Sequence, residues 1–135
     1  LAEAAGQGIT TMAYDLEDPA LAWPFEAARF AAIVVTNYLH RPLFAHLAAS
    51  LRDDGLLIYE TFSLGNEAFG KPSNPAFLLA HGELLLHASA NGLKPIAYED
   101  GYVESPKPAM VQRLCAAKQG FGWASARLDR GGAPI

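Results

Sequence analysis

The sequence predicts an α/β fold whose sheet is mostly parallel and ends in an antiparallel hairpin. Two apolar runs, at residues 30–35 and 56–61, flank an amphipathic stretch at residues 42–52, and together they have the length of a strand–helix–strand unit. Two later strand-like runs, at residues 95–104 and 109–118, are separated only by a short Ser-Pro-Lys-Pro connection. The chain therefore has the elements of one sheet with helices packed against it.

The composition fits a single compact domain. The 135 residues are 51% hydrophobic and 18% charged, and glycine and proline follow no period, which excludes disordered, collagen-like and coiled-coil chains. The formal charge of −4 argues against nucleic acid as a bulk partner. The apolar runs are much shorter than the roughly 20 residues that span a bilayer, so we expect no membrane segment. Cys115 is the one cysteine, and a chain without disulfides suits the reducing cytoplasm.

The first half of the chain predicts two strands and a helix. Residues 9–14 predict a short strand that ends in a turn at Asp15. Residues 30–35 are apolar at every position, which is typical of a strand in the middle of a parallel sheet. Residues 53–55, Asp-Asp-Gly, should end the helix at residues 42–52. The inward stripe of that helix contains Leu43, Phe44, Leu47, Ala48 and Leu51, with His46, Ser50 and Arg52 away from it.

The second half predicts a loop, a helix and the hairpin. Residues 63–76 hold two glycines, two prolines and two asparagines, and they predict a long loop directly after the strand at residues 56–61. Residues 83–90 predict a helix that directs Leu84, Leu85 and Ala88 inward and ends at Asn91-Gly92. We expect the folded domain to cover residues 1–118, followed by a glycine-rich tail at residues 119–135.

Candidate site residues follow the strands, because ligands of open α/β sheets bind outside the carboxyl ends of the strands. Asp15 can accept a hydrogen bond from an adenine amino group while Leu16 packs on the ring, or it can satisfy only its own turn. Asn37 can bind an amino group, and a neutral His40 can take a proton from a nucleophile. The alternative for both is a helix entrance whose free N–H groups they bond.

Glu60 ends the second apolar strand, where a carboxylate can act as a general base or a substrate anchor. We favour instead an ion pair with Arg41 or Lys71. No serine or cysteine lies in a glycine elbow, so a nucleophilic triad is not predicted. The histidines have no accompanying His or Cys cluster, and we expect no metal site.

Two motifs point to a family. The first is the acidic turn Asp15-Leu16, followed by a buried strand that ends in Thr36-Asn37-Tyr38-Leu39 and later by the terminal hairpin. The second runs over residues 59–84, from Tyr-Glu-Thr-Phe through Gly-Asn-Glu and Phe-Leu-Leu to Gly-Glu-Leu. The chain resembles the latter two thirds of a class I S-adenosylmethionine-dependent methyltransferase. The second motif, the more specific one, is similar to a bacterial group of small methyltransferases related to the tellurite-resistance type.

The resemblance implies a partial Rossmann-like sheet, S-adenosylmethionine as cofactor and a small-molecule methyl acceptor. Asp15 would contact the adenine amino group and Leu16 its ring. His40 would lie near the transferred methyl group, in a pocket that aligns the reactants and excludes water. Two further sets complete the implied site: the methionine side of the cofactor would be lined by Thr36, Asn37 and Leu39, and the substrate pocket by Tyr38, Glu60 and Asn66.

The family's glycine-rich turn and ribose-binding acidic residue are expected upstream of Leu1, since Gly6 and Gly8 precede a strand instead of following one. We therefore expect this chain to bind the cofactor poorly or not at all by itself. One face and one edge of the strand at residues 30–35 should be uncovered, which favours self-association through that edge. The alternative function is a non-catalytic α/β binding or dimerisation module that lacks a working cofactor site.

Overall fold

The computed structural model describes residues 6–129 and contains a four-stranded mixed sheet with two short helices. The strand order is β1-β2-β4-β3; β1 and β2 are parallel, and the other two pairings are antiparallel. This confirms the α/β class and the antiparallel hairpin. The parallel part of the sheet is the single pair of strands β1 and β2. No helix in residues 6–129 is long and apolar enough to cross a membrane. The elements are β1 (Phe30–Thr36), α1 (Phe44–Ser50), β2 (Leu51–Phe62), α2 (Glu83–Ala90), β3 (Lys94–Val103) and β4 (Ala109–Ala117).

The core lies between the two helices and one face of the sheet. Alternate residues of β2, Leu57, Tyr59 and Thr61, are buried, as the period of two in a strand requires. The inward positions Leu84 and Ala88 of α2 are buried as predicted. Burial of each leucine side chain contributes roughly 1.5–3 kcal/mol.

The region between β1 and β2 differs from its prediction. The helix expected over residues 42–52 consists of a 3-10 turn, Arg41–Leu43, and the shorter α1. Ser50, predicted to lie off the apolar stripe, is buried and accepts a 2.7 Å hydrogen bond from the Trp23 indole. The chain is already extended at Leu51, and residues 53–55 form a bulge inside β2, since the pairing steps from Phe30–Leu51 to Ala32–Leu56.

The strand β1 is an edge strand, so the central position predicted for it is wrong within residues 6–129. Residues 9–14 form no strand, because no described strand lies beside them to share a ladder of hydrogen bonds. An apolar sequence indicates that a segment prefers burial. It does not indicate which strands lie beside that segment in the sheet. The Val34 side chain is 63% exposed, which confirms the expected uncovered edge and face.

The second face of the sheet carries no helix of the described chain. Ile58 of β2 is 42% exposed on this face. Its partner in the neighbouring strand β4 is Cys115. Cys115 is half-buried there. That partial burial raises the pKa of its thiol.

The start of the predicted tail packs against the bulge of β2. The Gly120 N–H donates a 2.8 Å hydrogen bond to the Asp53 carbonyl oxygen. A Cβ atom at Gly120 would lie 2.7 Å from that oxygen, so only glycine fits there without rearrangement. The Lys94 ammonium group lies 4.2 Å from the centre of the Trp123 ring. Gly120 and Trp123 thus attach the start of the predicted tail to the sheet, and residues 130–135 lie outside the described range.

Candidate functional site

A cleft of about 250 Å³ opens at the carboxyl ends of β1 and β2, where open α/β sheets bind their ligands. Residues from two parts of the chain line it. We call them the N-terminal wall and the loop wall. The N-terminal wall contains Glu17, Asn37, Tyr38 and Leu39, and the loop wall contains Thr61, Phe62, Pro72 and Phe77.

The turn after β1 is tied to β2 by its backbone. Asn37 has a φ of +55°, a left-handed conformation that asparagine tolerates better than most residues. The Asn37 N–H donates a 2.9 Å hydrogen bond to the Glu60 carbonyl oxygen. The buried Tyr59 hydroxyl donates a 2.6 Å hydrogen bond to the Tyr38 carbonyl oxygen. This conformation gives Asn37 a structural role at the position predicted for the cofactor.

Glu17 is the charged residue of the cleft lining, and sequence reasoning did not select it. Its Oε2 accepts a 2.9 Å hydrogen bond from the Tyr38 hydroxyl, and its Oε1 lies 3.5 Å from His40 Nδ1. Burial and, next, the hydrogen bond to this carboxylate raise the pKa of Tyr38 to about 12. The one sequence signal for Glu17 is that a second carboxylate follows Asp15 by two residues in the same turn.

His40 lies next to the cleft, beside Glu17. It precedes the 3-10 turn Arg41–Leu43, but its side chain makes no capping hydrogen bond there. The helix-entrance alternative therefore does not describe His40 in this structure. Its partner is the Glu17 carboxylate of the N-terminal wall, which brings the predicted catalytic residue to that wall.

Asp15 and Leu16 border the same region. The Asp15 Oδ1 accepts a 3.0 Å hydrogen bond from the Glu17 N–H, as in the turn-only alternative, while the side chain stays exposed. Leu16 and Thr36 meet at one cavity of about 340 Å³, which Tyr38 also lines. Leu16 also reaches a second, mostly apolar cavity of about 300 Å³, lined further by Trp23, Phe25, Phe30, Ala32, Ile33, Val35 and Leu47.

Glu60 is not among the residues that line the cleft. Its Oε2 accepts a 2.7 Å hydrogen bond from Arg113 Nε, so the predicted pairing with Arg41 or Lys71 is wrong. The reason is the register of β2 and β4, which sets Glu60 directly opposite Arg113.

Asn66 is also absent from the cleft lining and has a structural position. It is 2% exposed, its Nδ2 donates to the Pro72 carbonyl oxygen at 3.0 Å, and its Oδ1 accepts from the Met110 N–H at 3.1 Å. Both ends of the carboxamide are thus engaged with backbone. Asn66 joins the long loop to β4 and supports the loop wall.

The Arg41–Glu83 ion pair anchors the chain on both sides of Phe77 in the loop wall. Arg41 Nε and Nη2 donate to the two Glu83 carboxylate oxygens at 2.6 and 2.9 Å. The same guanidinium donates to the carbonyl oxygens of Ala76 and Leu78, each at 3.0 Å. Burial opposes ionisation of Glu83, but hydrogen bonds from Arg41, the Ala80 N–H and His87 outweigh it and lower the pKa of Glu83 to about 2.

The described part of the chain contains no group of three or more His, Cys, Asp or Glu residues placed to hold a metal ion. The titratable groups in and beside the cleft include one carboxylate, one phenol and one imidazole, from Glu17, Tyr38 and His40. Such groups can exchange and hold protons.

No protein-family model and no curated protein matches this sequence. Solved structures do resemble the fold. An S-adenosylmethionine-dependent methyltransferase from Methanosarcina mazei is 10% identical with a TM-score of 0.56, and the match covers 72% of this chain and 63% of that one. A geranyl diphosphate methyltransferase in complex with S-adenosylmethionine is 18% identical with a TM-score of 0.52, over 72% and 54% of the chains. The [4+2]-cyclase SpnF is 13% identical with a TM-score of 0.63, over 87% and 60%.

These likenesses establish the fold, a partial Rossmann-like sheet of the kind found in S-adenosylmethionine-dependent methyltransferases. The chain spans less than two thirds of the length of each of these three structures. One of the three is described as a cyclase, so the fold by itself does not fix the reaction.

Proposed function

We propose that this chain forms the adenine and acceptor side of an S-adenosylmethionine-dependent methyltransferase and acts as part of a longer protein. The observation that supports the proposal is the position of Glu17, Tyr38 and His40, which gather proton-exchanging groups at the carboxyl ends of β1 and β2. The methyltransferases of this fold supply the second support.

The described residues suit the adenine end of the cofactor. The exposed Asp15 carboxylate can accept from an adenine amino group through Oδ2, since Oδ1 already accepts from the Glu17 N–H. The apolar cavity beside Leu16 suits the face of a flat ring. Thr36, Asn37 and Leu39 then border the methionine side.

When bound, the cofactor supplies a methyl group on a sulfonium centre, which is a strong leaving group. The chain's own residues contribute alignment and exclusion of water. His40 removes a proton from an acceptor that carries one, and Tyr38 borders the acceptor. The acceptor is a small molecule in this proposal, since the cleft is small. Glu60 and Asn66 are not assigned to it, because ion pairing and loop anchoring explain them.

The test is a titration of the isotopically labelled chain with S-adenosylhomocysteine up to millimolar concentration, followed by NMR. We expect binding weaker than micromolar, with shift changes confined to Asp15, Leu16 and the turn at residues 36–40. Asp15→Asn should weaken the response several-fold. The control Asp18→Asn changes a carboxylate that serves its own turn at Ala20 and should not. Changes confined to the open face around Ile58 would contradict the proposal.

The second candidate function is a non-catalytic module that self-associates through β1. The supporting observation is that Phe30–Thr36 holds no charged residue and lies at the edge of the described sheet, without the charges that commonly protect edge strands. Sedimentation velocity measures this directly. A concentration-dependent dimer that Val34→Lys abolishes, together with no response to S-adenosylhomocysteine, would favour the module over the enzyme.

A further inference from the structure

One carboxylate joins two side chains of the turn after β1. Glu17 Oε2 accepts from the Tyr38 hydroxyl at 2.9 Å, and Glu17 Oε1 lies 3.5 Å from His40 Nδ1. The three groups come from two segments that are far apart in the chain, because residues 18–36 separate Glu17 from the turn. Their meeting is a product of the fold and not of local sequence.

The geometry distinguishes the two nitrogens of the His40 ring. A carboxylate beside Nδ1 stabilises the tautomer in which Nδ1 carries the hydrogen, which leaves the Nε2 lone pair available as a proton acceptor. The separation of 3.5 Å is long for a hydrogen bond, and such pairs commonly shorten when a ligand closes the site. A Glu17 carboxylate at this position favours that tautomer and orients the imidazole toward it.

We propose that Glu17 is the positioning residue of a Glu17–His40 pair whose Nε2 accepts the proton of the methyl acceptor. This inference rests on the proposed methyltransferase function and adds a substrate class to it. The acceptor is a nitrogen or oxygen nucleophile that carries a hydrogen, such as an amine or a hydroxyl. A thioether acceptor has no proton to lose and needs no such pair.

The step balances without another reactant. The lone pair of the acceptor forms a bond to the methyl carbon, while the carbon–sulfur bond breaks and its electron pair remains on sulfur. The proton of the acceptor passes to His40 Nε2. The Glu17 carboxylate then faces an imidazolium ion, and the opposite charges stabilise it.

Tyr38 holds the other oxygen of the carboxylate. Its hydroxyl donates to Oε2, and this leaves Oε1 directed to the imidazole. Without the phenol, the carboxylate of an exposed Glu17 would sample other rotamers. Tyr38→Phe should therefore loosen the pair while it retains the aromatic ring.

The test is the tautomer of His40, measured by long-range ¹H–¹⁵N NMR of the full chain in alkaline solution, where the imidazole is neutral. In the unmodified chain the Nδ1 resonance should lie in the range of a protonated ring nitrogen. Glu17→Ala should shift it toward the unprotonated range, and Tyr38→Phe should do so partly. Glu26→Ala is the matched control, since it removes an exposed carboxylate from the same segment and should leave the tautomer unchanged.

An Nε2-protonated His40 in the unmodified chain, or a tautomer insensitive to Glu17→Ala, would overturn the pair. This measurement needs no cofactor, so its outcome is independent of the titration that tests the proposed function. Once an acceptor assay exists for the longer protein, Glu17→Ala should lower kcat at least ten-fold with little change in KM. Glu17→Asp should recover part of that loss, whereas equal losses in both variants would contradict a positioning role.

Discussion

The two walls of the cleft are built in different ways. In the loop segment, Leu78 and Leu79 are 1% and 0% exposed, and the chain between β2 and α2 is held by the Arg41–Glu83 pair and by Asn66. In the N-terminal wall, the Glu17 side chain is 52% exposed and is held by contacts with Tyr38 and His40. The segment behind the loop wall is anchored by buried packing and charge, whereas Glu17 is held by bonds between partly exposed side chains.

The difference indicates that the two sides of the cleft differ in local stability. Segments with few buried contacts open at low free energy, while segments in the core open only with the whole domain. The loop wall thus gives the cleft its fixed shape. Asp15 and His40, the groups proposed to touch the cofactor and the acceptor, lie beside the N-terminal wall, where Glu17 positions His40, and this region can adjust to its ligands. The substitutions below should follow this division, from the largest effect to the smallest.

Leu79→Ala should have the largest effect, a loss of about 3 kcal/mol in the free energy of unfolding, because it leaves a cavity in the core. Leu16→Ala, at a partly exposed side chain beside the N-terminal wall, should cost about 1 kcal/mol. Urea denaturation followed by circular dichroism measures both. Equal losses would show that the two walls are anchored alike.

Glu83→Gln and Arg41→Ala should each cost about 2 kcal/mol, since each removes one partner of a pair whose carboxylate is 12% exposed. The double variant should cost little more than either single variant, because the two residues act as a unit. Glu26→Gln, which neutralises an exposed carboxylate, is the control. Additive losses in a double-mutant cycle would contradict the coupling.

Acid should destabilise the chain through Glu83. Its pKa is lowered to about 2 in the folded state from an ordinary 4.5, so its contribution is full above pH 4.5 and is lost as the pH falls toward 2. A fall of this size corresponds to about 3 kcal/mol, which screening through the 39%-exposed Arg41 reduces to about 2 kcal/mol. Glu83→Gln should flatten the dependence of stability on pH in this window; an unchanged slope would contradict the assignment.

Asn37→Ala should cost about 1 kcal/mol, because a Cβ-bearing residue other than Asn or Asp pays more for a φ of +55°. Asn37→Gly adopts this conformation freely and should be nearly neutral. Thermal unfolding of the two variants separates a backbone role of Asn37 from a role of its carboxamide. If Asn37→Gly lowers the stability as much as Asn37→Ala does, the Asn37 side chain itself contributes to folding.

Glu17→Gln should have the smallest effect on stability, within about 0.5 kcal/mol, since the side chain is half exposed. It should nevertheless lower the pKa of Tyr38 from about 12 toward 10, because the hydrogen bond to the carboxylate is one of its causes. Ultraviolet titration of the tyrosines, with Tyr38→Phe to identify the signal, measures this change. A large loss of stability without a change in the Tyr38 titration would contradict this account of Glu17.

Local pattern predicted the elements whose partners are near in sequence. The helix at residues 83–90 and the hairpin of β3 and β4 appear within a residue of their predicted bounds, because periodicity and turn residues determine them locally. The strand at residues 9–14 failed, since a strand also needs a neighbour. Residues 53–55 were predicted to end the helix at residues 42–52 and lie in a bulge of β2 instead, because the same residue types favour both structures.

The candidate site was only partly predictable for the same reason. Residues after the strands, such as Asn37 and His40, follow from the rule that ligands bind at the carboxyl ends. The partners of Glu60 and the role of Glu17 depend on register and on contacts between distant segments. No local pattern reports such contacts.

The most direct test of a fixed loop wall and an adjustable N-terminal wall is hydrogen–deuterium exchange of the chain, alone and with millimolar S-adenosylhomocysteine. We expect the amides of Thr61 and Phe62 in the loop wall, and of Leu78 and Leu79 behind it, to exchange slowly in both samples. Those of residues 14–27 should exchange quickly in the free chain and more slowly with the ligand. Slow exchange of both walls in the free chain, or protection by the ligand only on the open face around Ile58, would contradict the account.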